Sequence, residues 1–215
     1  MISDVLKWGG NLLEPKPFVY VALGDSTAEG VGASMPERSY TRLVYRRLCR
    51  QYRNVHYYNF GRDSAKSRDV LDNQTLDAIG CNPDLITLSI GANDIRFGVT
   101  IRTFTRQLKK LLQRLQDKTY ASIIIATIPD FSMVPRVPVI LKIPSSIAIA
   151  RYNKVIKQTA MELNITYADV FPQNAEYFRL HPETVAKDGF HPSDFGYAVW
   201  ANALLLDMQK LGIIS

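Results

Sequence analysis

Residues 18–30 read Phe18-Val19-Tyr20-Val21-Ala22-Leu23-Gly24-Asp25-Ser26-Thr27-Ala28-Glu29-Gly30. Six apolar residues in succession, without polar alternation, mark a strand buried on both faces. Gly24 stops the run and permits a sharp turn, after which Ser26 would present its hydroxyl at the sheet edge, near the amides of a following helical turn. A strand covered on both faces needs other layers above and below it, and the rest of the chain supplies them.

Toward the C-terminus the same kind of run recurs, separated by helical spacing. Tyr40, Leu43, Val44 and Leu48 predict a helix, and Val55 to Phe60 a second strand. Leu85 to Ile90 predicts a third strand, followed by an amphipathic helix on Ile101, Phe104, Leu108, Leu111, Leu112 and Leu115. Ser122 to Thr127 gives a fourth strand, Tyr152, Val155, Ile156 and Leu163 a helix, and Ile165 to Asp169 a short fifth strand. A last helix carries Tyr197, Trp200, Ala201, Leu204, Leu205 and Met208. Strands alternating with helices predict an α/β fold, a three-layer α/β/α sandwich around a central, mostly parallel five-stranded sheet. A single domain over residues 1–215 is expected, with 1–17 an N-terminal extension. One stretch breaks the rhythm. Phe131 to Ser146 (FSMVPRVPVILKIPSS) carries three prolines among many aliphatics, and is expected to be an apolar insertion, neither regular helix nor central strand, flanking the site.

Composition excludes several functions. With 47% hydrophobic and 21% charged residues the chain folds instead of remaining disordered. The net charge of +6 does not imply nucleic acid, because Arg42, Arg46, Arg47 and Arg50, and Arg102, Arg106, Lys109, Lys110 and Arg114, fall opposite apolar stripes as solvated helix faces. No apolar run is long enough for an integral membrane segment. Met1 to Pro17 lacks the pattern of a secretion signal, and two cysteines, Cys49 and Cys81, form neither a disulfide framework nor a metal spacing, so a cytoplasmic location is expected. Sparse histidines argue for no metal and no cofactor. There is no GxSxG elbow and no Walker A sequence, and Met35 spoils the near match to GxGxxG after Gly30 and Gly32. The pattern specifies no oligomeric state.

In a sheet of this kind ligands bind at the carboxyl ends of the strands. Three further loops there carry chemistry. Asn59-Phe60-Gly61-Arg62-Asp63 and Ile90-Gly91-Ala92-Asn93-Asp94 offer a glycine N–H and an amide side chain, the neutral donors an oxyanion hole needs. Asp188-Gly189-Phe190-His191-Pro192 offers a histidine with a carboxylate three residues earlier, able to fix the tautomer of the ring and to stabilise the imidazolium. Pro192 is expected in the first turn of the last helix. A serine nucleophile needs such a base. His56, inside a strand, and His181, before Pro182, are assigned structural or surface roles.

Gly24-Asp25-Ser26, the Gly61 loop, Gly91-Ala92-Asn93-Asp94 and Asp188-Gly189-Phe190-His191, in this order, resemble the blocks of the GDSL or SGNH hydrolase superfamily over nearly the whole chain. The resemblance implies a flavodoxin-like fold and a serine hydrolase cleaving carboxylic esters through an acyl-enzyme. It implies Ser26 as nucleophile, with Asp188 and His191 completing the triad, and Ser26 N–H, Gly61 N–H and Asn93 as the oxyanion hole. The implied partner is a small-molecule ester. Acyl-thioesterase and carbohydrate acetylesterase activity are the alternatives on the same site, and a non-catalytic binding protein the alternative on the same fold. Two positions depart from the family pattern: Ser64 stands where a second glycine is usual, and Thr27 where leucine is usual.

Overall fold

In a computed structural model, residues 16–171 and 177–215 are described, so nearly all of the expected 1–17 extension lies outside the described residues. Strand β1 (Phe18–Gly24) is followed by the one-turn helix α1 (Ser26–Glu29), helix α2 (Tyr40–Gln51) and β2 (Val55–Asn59). Next come α3 (Ser67–Asp69), a π turn (Val70–Gln74) and α4 (Thr75–Gly80), then β3 (Leu85–Ser89), α5 (Ala92–Arg96) and α6 (Ile101–Lys118). The chain closes with β4 (Ser122–Ala126), α7 (Val139–Glu162), β5 (Thr166–Ala168), α8 (Tyr177–Leu180) and α9 (Asp194–Lys210).

The five strands pair in the order β2-β1-β3-β4-β5, all parallel. Alternation along the central strands divides the interior in two. Val19, Val21 and Leu23 of β1 join Ile86, Leu88, Ile123 and Ile125 under α6 and α7, while Tyr20 and Ala22 join Leu85 and Ile124 under α2 and α9. Burial on both faces explains why these strands read as continuous apolar runs, and the sandwich follows from it. Helix α6 turns Phe104, Leu108, Leu111, Leu112 and Leu115 inward, with Ile101 packed at their edge, and is polar elsewhere.

Two sequence expectations are corrected. The 131–146 segment is not irregular throughout: a 3₁₀ turn at Phe131–Met133 leads to Pro138 at the N-cap of α7, whose first two turns take in the remainder. Pro144 sits inside the helix and cannot bond the carbonyl of Ile140. That loss is tolerated because it falls at the helix's exposed end, and the turns beyond it bury Ile149, Tyr152, Val155 and Ile156. Pro192 is not in the first turn of α9. Ser193 caps that helix, its hydroxyl accepting from Gly196 N–H at 3.2 Å, and Pro192 precedes the cap in an antiparallel bridge with Val185.

The segment between β2 and β3 was not assigned from the sequence, and it pins the end of β1. Gln74, on the π turn, accepts from Gly24 N–H at 2.9 Å and donates to Gly24 carbonyl at 2.8 Å, all three groups being buried. The carbonyl also accepts from Arg62 N–H at 3.1 Å, so the amide N–H depends on Gln74 most. Gln74→Ala is expected to lower stability by about 2 kcal/mol, the cost of one orphaned buried donor. Urea unfolding at constant m value measures it, and an unchanged midpoint would mean that water replaces the amide.

Candidate active site

The carboxyl ends of β1 and β3 meet where Gly24 lies opposite Ser89. A Cβ on Gly24 would stand 2.0 Å from Ser89 carbonyl oxygen, so only glycine lets the chain turn here. Asp25 then caps α1, accepting from Thr27 N–H at 3.0 Å and from its hydroxyl at 2.8 Å. Ser26 is the first helical residue, in the position the sequence implied, and is largely buried.

His191 arrives on the loop before α9. Its Nε2 lies 3.1 Å from Ser26 Oγ, and its Nδ1 lies 2.5 Å from Asp188 Oδ2. The other oxygen of Asp188 accepts from the N–H groups of Phe190 and His191 at 2.9 and 3.0 Å, so the carboxylate is held by its own loop. Partial burial alone would raise the Asp188 pKa, but the imidazole and those two N–H groups outweigh it and hold the carboxyl below its usual value of 3.8. An ionised carboxylate only accepts, which places the proton on Nδ1 and leaves Nε2 able to take one from Ser26. Gly32, in the loop after α1 with φ of 95°, packs directly against His191: a Cβ there would meet Pro192 carbonyl at 2.6 Å and His191 Cβ at 2.7 Å.

Asn93, on the first turn of α5, lines the same pocket as Ser26 and His191, and its amide donates to Ala65 carbonyl at 3.2 Å. Gly61, the expected backbone donor, follows β2. Its N–H donates to Asn59 Oδ1 at 2.9 Å, and a Cβ there would strike Glu29 N at 2.6 Å. The glycine is thus accounted for by close packing on α1. Three residues on, Ser64 adopts a left-handed φ of 61° and lines a groove with Ser26, Asn93 and His191. His56 is exposed on β2, and His181 is exposed beside Glu183; neither lines the pocket or the groove that Ser26 lines.

Supporting residues were missed in the sequence. Asp94 is fully buried and accepts from Ser67 N–H at 2.9 Å and from its hydroxyl at 2.6 Å, tying the loop after β2 to the loop after β3. The adjacency of Asp94 to Asn93 was the available signal. Burial pushes Asp25 up to about 6, against the pull of its Thr27 hydrogen bonds. The folded state therefore holds that proton more tightly than the unfolded chain, and Asp25 costs stability as pH rises from about 4 through about 6, by up to about 3 kcal/mol. Asp25→Asn, which keeps an acceptor for Thr27, is expected to flatten that decline in unfolding free energy; an unaltered slope would assign it to other groups.

The groove beside Ser26 has a volume of about 770 Å³ and runs from His191 and Phe190 past Phe131 to Val137 and Leu141 at the start of α7. Of the apolar residues in the 131–146 segment, Val137 and Leu141 line it, Val134 is in the core, and Val139, Ile140 and Ile143 are exposed. Among the described residues no three His, Cys, Asp or Glu side chains gather as metal ligands, and Cys49 and Cys81 are unpaired. No helix of the described residues is long and apolar enough to cross a membrane.

The profile of the GDSL-like lipase/acylhydrolase family matches residues 22–199, from the end of β1 into α9. The chain belongs to that family. This member of the GDSL-like hydrolases has no match among curated proteins. Solved structures do resemble it. Axe2, an acetylxylan esterase from Geobacillus stearothermophilus, is 23% identical with a TM-score of 0.72, over 89% of this chain and 94% of that one. A member of the lipolytic protein G-D-S-L family from Veillonella parvula is 21% identical with a TM-score of 0.68, over 87% and 96%. An alpha/beta hydrolase enzyme from the metagenome of Lake Arreo, Spain, is 22% identical with a TM-score of 0.68, over 88% and 94%. At these identities the likeness establishes the fold, and the family match establishes a GDSL-type hydrolase.

Proposed function

We propose that this GDSL-family hydrolase cleaves carboxylic esters through an acyl-enzyme on Ser26. The observation that carries the reading is the hydrogen-bonded series from Ser26 Oγ through His191 to Asp188, at 3.1 and 2.5 Å. Ser26 Oγ bonds to the acyl carbon as its proton passes to His191 Nε2. The ester C–O bond then breaks as His191 returns that proton to the leaving alcohol, and water repeats the two steps on the acyl-enzyme. Asp188 stays ionised and stabilises the imidazolium between them.

The oxyanion would be held by Ser26 N–H, at the start of α1, and by the Asn93 amide. Gly61 N–H could join them only by leaving Asn59, so Ser64 N–H, on the same loop and lining the groove, is the better-placed third donor. Asn93→Ala is expected to lower kcat by about 100- to 1,000-fold, with less effect on KM. A change confined to KM would make Asn93 a substrate-binding residue alone.

The apolar wall of the otherwise mixed groove, formed by Phe131, Val137, Leu141 and Phe190, favours an acyl chain longer than acetyl, since each buried methylene contributes up to about 0.8 kcal/mol. An acetylxylan esterase among the structural relatives keeps acetylated sugars as the second reading, with acyl thioesters a third. Values of kcat/KM for p-nitrophenyl acetate, butyrate, hexanoate and octanoate, beside acetylated xylooligosaccharides and an acyl thioester, decide among them. A rise with chain length supports the groove as acyl site; activity on the acetylated sugar alone overturns it.

A further inference from the structure

The first turns of α7 expose far more apolar surface than a solvated helix carries. Ile140 is 82% exposed, Ile143 73% and Ile147 50%, with Val139 at 82% beside them. Residues 140, 143 and 147 stand three and four apart and therefore share one face, which Arg151 and Lys154 continue, both exposed. The stripe is about 20 Å long at 1.5 Å per residue. Arg136 and Lys142 lie next to it, and no Asp or Glu occurs from residue 131 to residue 161. The active-site groove opens at the apolar end, through Val137, Pro138 and Leu141. Arg96 also lines that groove, and beside it Phe97 is 54% exposed, with Arg96 and Lys66 over its ring at 5.3 and 5.6 Å.

We infer that this rim, centred on the exposed face of α7, docks the protein on an anionic lipid surface and sets the mouth of the groove against it. Isoleucines at the helix's free end can enter the interfacial region of a bilayer, where their burial is favourable, while the basic residues along the same face meet anionic headgroups. The uninterrupted positive sign of residues 131–161 is what favours an anionic lipid surface over a second copy of the chain, because the same face of another copy would bring no carboxylate from this segment to Arg151 or Lys154. The inference concerns attachment and is independent of the chemistry on Ser26.

Sedimentation with phosphatidylcholine vesicles, with and without about one-third phosphatidylglycerol, tests it. Wild-type protein is expected to bind the anionic vesicles at least about tenfold more tightly, with the difference falling at high salt. Ile140→Ser with Ile143→Ser is expected to weaken that binding about tenfold, and Lys154→Ala about fivefold. Hydrolysis of soluble p-nitrophenyl acetate should be unchanged in all of them, which separates a loss of docking from a failure to fold or to turn over. Equal binding to both vesicle types, or none to either, overturns the inference. So would light scattering that shows a wild-type dimer converted to monomer by the isoleucine changes, which would give the face to a second copy.

Discussion

Ser26→Ala is expected to lower kcat by about 10⁵- to 10⁶-fold and to abolish covalent labelling by a fluorophosphonate, while the melting temperature stays within a few degrees of wild type. The size follows from the role: without Oγ no acyl-enzyme forms, and only the oxyanion donors and binding remain to assist direct attack by water. The protein should still fold, because Ser26 contributes one hydroxyl, bonded to His191, and α1 is capped by Asp25 instead. Labelling that persists at another serine would remove Ser26 from the nucleophile's place.

The second large effect separates the two partners of the serine. His191→Ala is expected to cost about as much as Ser26→Ala, since in the proposed mechanism it removes the group that carries the proton in both directions. Asp188→Asn should cost less, about 10⁴-fold, because the imidazole keeps its place but loses the carboxylate that holds its Nδ1 proton and stabilises its cation. Asn at 188 can still accept from Phe190 and His191 N–H, so the loop should survive the change. Equal losses from the two variants, both shown to be folded by circular dichroism, would contradict that division of labour.

Much of the framework was legible before any coordinates. Strands β1, β3 and β4 are buried on both faces, so their apolar runs stand out from everything around them, and the loops carrying Ser26 and Asn93 follow directly at the ends of β1 and β3. His191 and Asp188 are three residues apart, and a local turn brings them together. Contacts over long distances in sequence were not legible. Gln74 reaches Gly24 across 50 residues, and neither residue type announces the other. At Gly61 the sequence is ambiguous, because a glycine that donates to an oxyanion and a glycine that fits against a helix look alike, and here a Cβ would stand 2.6 Å from Glu29 N. Pro144 misled for another reason. The rule against proline in a helix weighs one lost hydrogen bond, and it does not count the buried turns beyond it that hold the helix regardless.

Gly32 carries a consequence for how the gene can vary. It has no reactive group, yet a Cβ there would meet the carbonyl of Pro192 and the Cβ of His191, so the loop after Ser26 acts as a stop against which His191 is seated. Every coding change at that position adds at least a methyl group where 2.6 Å is available, on a backbone whose φ of 95° already disfavours any side chain. The strain costs on the order of 1–3 kcal/mol, which a stable domain survives, but the displaced ring no longer meets Ser26. Lineages carrying such a change are expected to keep an intact set of reactive residues, with less folded protein and little turnover. Selection is therefore expected to see position 32 through rate as well as through abundance, and a survey that scores variants by expression alone would understate it.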